Sequence, residues 1–203
     1  MKLLVATNNP GKIKELNAAL EDLPVDLFGL NSFENIAEPE ETGATFSENA
    51  ILKADSYAHQ TGFWALSDDS GLEVEALNGA PGVFSARYAG ENATDGERIA
   101  KLLDELKETS EDSRRARFVC AMAMADETGK IKHLAEGVCN GRIALAPRGK
   151  NGFGYDPIFI PDGFEQTFGE LSSTVKHEIS HRAQAIKKII RFLRNFTVLQ
   201  LDQ

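Results

Sequence analysis

Two adjacent carboxylates, Asp68 and Asp69, stand in the segment Ser67-Asp68-Asp69-Ser70-Gly71, directly after the apolar run that starts at Trp64. Strands disfavour aspartate and like charges repel, so the pair is awkward as structure alone. A bound cation would relieve the repulsion. Magnesium suits such a place, because it takes a few carboxylates and completes its shell with water and substrate phosphate oxygens. A carboxylate beside that ion can also accept a proton from an attacking water. The alternative is a polar turn closed by Asx hydrogen bonds.

Three further clusters carry chemistry. Thr7-Asn8-Asn9-Pro10-Gly11-Lys12 joins an apolar strand to a helical pattern. A strand-to-helix turn of this kind offers backbone amides at a positive helix terminus, and Lys12 adds a full charge, which together suit phosphate. It is not a Walker A loop: Ala6 stands where the first glycine belongs, and Ile13 follows the lysine in place of Ser or Thr. Read without a ligand, it is a turn whose Asn and Gly tolerate left-handed backbone. The stretch from Glu34 to Glu48 holds Glu34, Glu38, Glu40, Glu41 and Glu48 with no basic residue between them. Such runs are usually solvated loops, but adjacent Glu40 and Glu41 can supply a magnesium ligand. Gly149-Lys150-Asn151-Gly152-Phe153-Gly154-Tyr155-Asp156-Pro157 alternates glycines with aromatics and offers ring faces to a nucleobase. Downstream, Lys176, His177, His181 and Arg182 are donors around a helix start. No Cys or Ser nucleophile pattern pairs with the histidines, so they suit base-edge contacts better than acid–base catalysis.

The elements that must position these groups alternate between strand and helix. Lys2–Thr7 reads as a strand, and Ile13, Leu16 and Leu20 follow at helical spacing. Val25–Leu30 is a second strand. Thr45-Phe46-Ser47-Glu48 has the capping-box form and opens a helix with Ala50, Ile51, Ala54, Tyr57 and Ala58 on one face, ending near Gly62. Trp64–Ser67 and Leu72–Ala76 read as two separate strands. Thr94-Asp95-Gly96-Glu97 is a second capping box, and Arg117–Asp126 with Lys130–Val138 reads as a hairpin. A last helix spans about Ser180 to Arg194, with Ile186, Ile189, Ile190 and Leu193 inward and Lys187, Lys188, Arg191 and Arg194 forming a solvated face. The hairpin means that the sheet of this α/β chain cannot be wholly parallel.

The 203 residues suggest one domain, residues 1–203, large enough to bury a core without disulfides or structural metals. With 22 Lys+Arg against 31 Asp+Glu the net charge is −9, which argues against broad nucleic-acid or anionic-membrane binding. No apolar run approaches the roughly 20 residues of a bilayer span, and the N-terminus lacks the apolar length of a signal peptide. Cys120 and Cys139 form no CxxC pair, so a reducing cytoplasm is expected, without zinc or disulfide.

Six blocks in order resemble the signatures of the inosine triphosphatase family, the XTP/dITP diphosphatases. They are Thr7-x-Asn9-x-x-Lys12, Glu40-Glu41-Thr42-Gly43-x-Thr45-Phe46-x-Glu48-Asn49-Ala50, Asp68-Asp69-Ser70-Gly71-Leu72, Gly79-Ala80-Pro81-Gly82-Val83-x-Ser85-Ala86-Arg87-Tyr88, Gly152-Phe153-Gly154-Tyr155-Asp156-Pro157 and Ser180-His181-Arg182. The resemblance implies a two-lobed α/β domain with an elongated central mixed sheet flanked by helices, a cleft between the lobes, and a homodimer. It implies magnesium-dependent hydrolysis of ITP, dITP or XTP to the monophosphate and pyrophosphate. By motif, Thr7, Asn8, Asn9, Pro10, Gly11 and Lys12 would hold the triphosphate. Asp69 would be proton acceptor and metal ligand, and Glu40 a second ligand with Glu41 its rival. Ser70, Phe153, Gly154, Tyr155, Asp156, Lys176, His181 and Arg182 would contact substrate. Two rival readings remain. One is the septum-formation-inhibitor type of pyrophosphatase, whose Ser/Arg-rich N-terminal loop is absent from Thr7–Lys12. The other is a non-catalytic nucleotide- or RNA-binding module using Phe153 and Tyr155.

Overall fold

The computed structural model describes the backbone of residues 1–201 and the side chains of these residues apart from 14 and 197–201. Six strands form one sheet in the order β2-β1-β3-β4-β5-β6. They are β1 (Lys2–Val5), β2 (Asp26–Gly29), β3 (Trp64–Val74), β4 (Arg115–Ala125), β5 (Ile131–Ile143) and β6 (Phe159–Pro161). Among the described residues five α-helices accompany them: α1 (Pro10–Leu20), α2 (Phe46–Thr61), α3 (Asp95–Glu105), α4 (Ser173–Ile179) and α5 (His181–Leu201). β1 pairs in parallel with β2 and β3, whereas β5 and β6 are antiparallel, so the sheet is mixed as expected. The α/β class and the flanking helices follow the sequence pattern.

The helix ends obey local chemistry. Thr45 and Glu48 exchange both bonds of a capping box, Thr94 and Glu97 do the same, and Gly62 closes α2 at φ +66°. Two orphan amides are satisfied at each of these starts, which is why four-residue patterns located them from sequence.

The chain divides into two compact units. The first comprises Met1–Asp69, Cys120–Glu136 and the segment from Gln184 onward. Its core joins Leu3, Val5 and Leu66 of the sheet to Leu16 and Leu20 of α1 and to Ile186, Ile189 and Leu193 of α5. The inward stripe of α5 is therefore the one its periodicity defines, and Lys187 and Lys188 are exposed. The second unit comprises Ser70–Val119 and Gly137–Ala183. Here Leu72 and Val74 pack with Ile99, Leu102 and Leu106 and with Phe118, Phe159 and Phe168.

The structure corrects one reading that matters for chemistry. Trp64–Ser67 and Leu72–Ala76 are not two strands around a polar turn; β3 runs unbroken from Trp64 to Val74, with Asp68 and Asp69 inside it. Successive side chains of a strand point to opposite faces, so the two carboxylates do not lie side by side. Each has cationic company, Asp68 from Lys12 and Asp69 from Lys53. β5 likewise extends five residues beyond the expected Val138, to Ile143, and α5 passes the expected Arg194. The short β6 and α4 lie in stretches too brief for a periodic signal.

Candidate active site

In the first unit the phosphate-loop residues sit between β1 and α1. Asn9 is the N-cap of α1, and its Oδ1 accepts from the amides of Gly11 at 2.9 Å and Lys12 at 3.2 Å. Thr7 Oγ1 accepts from the Asn9 amide at 3.2 Å. The two helix-terminal amides offered to phosphate on sequence grounds are thus met by Asn9, and what the loop presents is the Lys12 ammonium with Asn8, Asn9 and Pro10 exposed around it. Lys12 Nζ lies 2.9 Å from Asp68 Oδ2.

α2 supplies the other half of this cluster. Asn49, fully buried, is fixed at both ends of its amide: Oδ1 accepts from the Gly43 amide at 2.7 Å, and Nδ2 donates to Asp69 Oδ2 at 3.1 Å. Gly43 is required for that approach, since a Cβ there would sit 2.7 Å from Asn49 Oδ1. One helical turn on, Lys53 Nζ lies 2.5 Å from Glu41 Oε1 and 3.5 Å from Asp69 Oδ1. Ser67, two residues before Asp69 and on its face of β3, donates to the Ala50 carbonyl of the same helix at 2.6 Å.

Burial sets the electrostatics. It pushes the Asp69 carboxyl above its ordinary range, a rise that Glu41 reinforces while Lys53, the Asn49 amide and Lys12 oppose it. At Lys53 burial works against the charge, yet Asp69, Asp68 and Glu41 outweigh it and hold the ammonium above its usual pKa. The result is a carboxylate disposed to take up a proton beside a lysine that stays charged.

Of the adjacent glutamates, Glu41 reaches this cluster and Glu40 is exposed. Among the described residues, no three His, Cys, Asp or Glu side chains converge as a ready-made metal cage. The donor set still fits magnesium, which needs only one or two carboxylates when substrate phosphates and water complete its octahedron. Asp69 and Glu41 offer hard oxygens of that kind.

The second unit gathers the remaining candidates. Arg182 Nη2 donates to Ser70 Oγ at 2.9 Å, and its guanidinium lies 5.7 Å from the Phe153 ring centroid. The buried Lys176 ammonium lies 4.6 Å from the same ring and 2.6 Å from Asp156 Oδ2. Phe153 is the half-buried aromatic of the loop. Asp156 is 2% exposed and also accepts from the Phe153 amide at 2.8 Å, so it braces the loop from within. Gly152 must lack a side chain, because a Cβ would meet Asp156 Oδ2 at 1.9 Å.

One expectation changes here, and two further candidates have partners within the protein. Tyr155 does not lay its ring open beside Phe153; it is buried, and its hydroxyl donates to the Ser85 carbonyl at 3.0 Å. His181 is buried and stacked on Phe118, with centroids 4.7 Å apart and an interplanar angle of 11°. Gly154 presents its amide to Asp95 Oδ2 at 2.7 Å. Sequence reasoning missed Asn49, Lys53 and Asp95. The available signal was Lys53 on the α2 face that otherwise carries Ala50, Ala54 and Tyr57, where a lone cation in an apolar stripe needs an anionic partner.

Fold and site define a class: a mixed-sheet α/β protein whose buried strand carboxylates are held by lysines from two helices. Within it the chain belongs to the Ham1 family, whose model matches residues 3–192. It is 48% identical over 200 residues to a Desulforamulus reducens protein named dITP/XTP pyrophosphatase, spanning 98% of this chain and 99% of that one. A Coxiella burnetii protein of the same name is 47% identical over 190 residues, 93% of this chain and 94% of that one. Among solved structures, a HAM1 protein from Coxiella burnetii superposes with a TM-score of 0.89 at 45% identity, covering 96% of this chain and 99% of that chain. The Staphylococcus aureus Ham1 protein gives 0.86 at 42% identity over the same shares.

Proposed function

We propose that the chain is a magnesium-dependent nucleoside-triphosphate pyrophosphatase that hydrolyses purine triphosphates with a 6-oxo base (ITP, dITP and XTP) and so clears them from the nucleotide pool. The observation that carries the reading is Asp69, buried, oriented by Asn49 and flanked by Lys53, in a chain 48% identical to a protein named dITP/XTP pyrophosphatase.

Hydrolysis joins a water oxygen to the α-phosphorus and breaks that phosphorus's bond to the oxygen bridging to the β-phosphorus. Nucleoside monophosphate and pyrophosphate result. Asp69 takes the proton of the attacking water, which its raised pKa favours, and Asn49 holds Oδ2 so that the carboxylate keeps one orientation. Lys12 and Lys53 bring fixed positive charge to the triphosphate without reorganisation. Magnesium, when bound, neutralises phosphate charge and lowers the pKa of a bound water. Asp69 would hold it together with Glu41, or with Glu40 if the loop carrying both presents the earlier residue.

Phe153 supports the base, with Lys176 and Arg182 as the cations on its ring. Both carry donors only, so they pair with a 6-oxo acceptor and leave a donor facing the amino group of adenine. A buried donor without an acceptor is the kind of mismatch that discriminates by about 10⁴-fold. The same reading makes the protein a cytoplasmic homodimer that takes no stable nucleic acid; sedimentation of the purified chain checks the dimer. No helix among the described residues is long and apolar enough to cross a membrane.

The decisive experiment incubates the protein with ITP and magnesium and resolves pyrophosphate from orthophosphate. Pyrophosphate release from ITP, with ATP turned over far more slowly, supports the reading. Orthophosphate as product, or equal turnover of ATP, refutes it.

A further inference from the structure

The block Gly79–Tyr88 has no part in the chemistry above, and neither does the start of α3. Both converge on the loop that presents Phe153. Phe153 lies between Gly152 at φ +75° and Gly154 at φ +60°, so its own backbone supplies little stiffness. Asp156 braces it from within, and the rest of the stiffness comes from outside the loop. Tyr155 Oη donates to the Ser85 carbonyl at 3.0 Å, while Ser85 Oγ accepts from the Leu72 amide of β3 at 2.9 Å and donates to the Gly82 carbonyl at 2.6 Å. A second line starts one residue on. Arg98 Nη1 donates to the Ala86 carbonyl at 2.5 Å, its Nη2 meets Asp95 Oδ1, and Asp95 Oδ2 accepts the Gly154 amide at 2.7 Å. Two consecutive residues of the turn, 85 and 86, are thereby linked to two consecutive residues of the loop, 155 and 154.

We infer that Asp95 and Tyr155 are positioning residues for purine selection: through Arg98 and Ser85 they clamp the Phe153 loop to the 82–88 turn and hold the ring where the base is read. The inference rests on the functional reading above and extends it to a group of residues that touch neither base nor phosphate. A ring held in place before binding spares the substrate the cost of ordering it, so the clamp acts on affinity and base discrimination rather than on the hydrolytic step. Each tether is one hydrogen bond, worth about a fivefold change.

The test compares Tyr155→Phe, which keeps the ring and deletes the hydroxyl, with Asp95→Ala and with Asp95→Asn, whose amide oxygen can still accept from Gly154. KM for ITP should rise about fivefold in Tyr155→Phe and Asp95→Ala, with kcat within about twofold and the preference for ITP over ATP reduced. Inhibition by added pyrophosphate, which engages only the phosphate end, should not change. Asp95→Asn keeps one acceptor but turns an NH2 toward Arg98 or Gly154, so it should recover only part of the loss, its KM falling between those of wild type and Asp95→Ala. Amide exchange in the 149–157 peptide, read without substrate, should quicken in the two damaging variants. An unchanged KM, a fall in kcat matching the rise in KM, or equal weakening of pyrophosphate inhibition would each overturn the inference. A wild-type chain that leaves ITP intact overturns the functional reading itself, and that result is seen before any variant is made.

Discussion

Asp68 and Asp69 are consecutive in β3 but belong to different helices: Asp68 Oδ2 takes Lys12 of α1 at 2.9 Å, whereas Asp69 takes Asn49 and Lys53 of α2 at 3.1 and 3.5 Å. Two acidic residues that read as one cation-binding pair each have a nearest lysine of their own, while the charge of Asp68 still reaches Lys53. Asp68 anchors the lysine offered to phosphate, and Asp69 is left to Asn49, which orients it, and to Lys53, which offsets part of its burial.

Asp69→Asn removes the proton acceptor while keeping a group of the same shape. Turnover of ITP should fall by about 10³-fold or more, with nucleotide binding in calorimetry preserved. A variant that retains a tenth of wild-type turnover would take Asp69 out of the mechanism.

The two glutamates separate cleanly. Because Glu41 and not the exposed Glu40 reaches Lys53, Glu41→Gln should raise the magnesium concentration for half-maximal activity by about tenfold, and Glu40→Gln by much less. A magnesium titration of both variants gives the ranking; the reverse order would assign the ligand to Glu40.

Stability should fail on the alkaline side. Burial raises the Tyr155 phenol above its ordinary pKa, and burial with a bond to Glu105 does the same for Tyr88. The folded protein therefore keeps these protons while the unfolded chain begins to lose them near pH 10. The stability they contribute is complete below about pH 10 and declines above it, by up to about 1.4 kcal/mol per pH unit for each phenol. Urea denaturation between pH 8 and pH 11 measures the slope, and Tyr155→Phe should flatten it.

Both thiols are buried, and burial with the Asp162 charge pushes Cys139 up to about 12. Native protein near about pH 8 should resist alkylation, and both cysteines should react once it is unfolded. Mass spectrometry after a timed exposure to iodoacetamide reads the outcome; rapid labelling of the native chain would place a thiol at the surface.

Legibility in the sequence followed the range of the interactions. Thr45 with Glu48 and Thr94 with Glu97 were readable because a capping box is complete within four residues. The stripe of α5 was readable because Ile186, Ile189 and Leu193 repeat at the helical period. β3 was misread because its Ser67–Gly71 segment has the composition of a turn, and partners distant in the chain, among them Lys12, Asn49, Lys53 and Arg182, make those polar groups tolerable inside a strand. Lys53 escaped notice for the same reason. Its importance lies in partners 12 and 16 residues away, at Glu41 and Asp69, which no local pattern encodes. Tyr155 had the residue type of a base platform, but its burial depends on the Ser85 carbonyl 70 residues earlier.

The pairing of Val5 with Leu66 fixes where β3 begins to count. Because its side chains alternate, moving the strand along by one residue would turn Asp68 and Asp69 each to the opposite face and take Asp69 away from Asn49 and Lys53. The chemistry is thus written in odd and even positions. A single inserted or deleted residue between Trp64 and Asp69 would leave every site residue present in the chain and would still put the proton acceptor on the wrong side of the sheet.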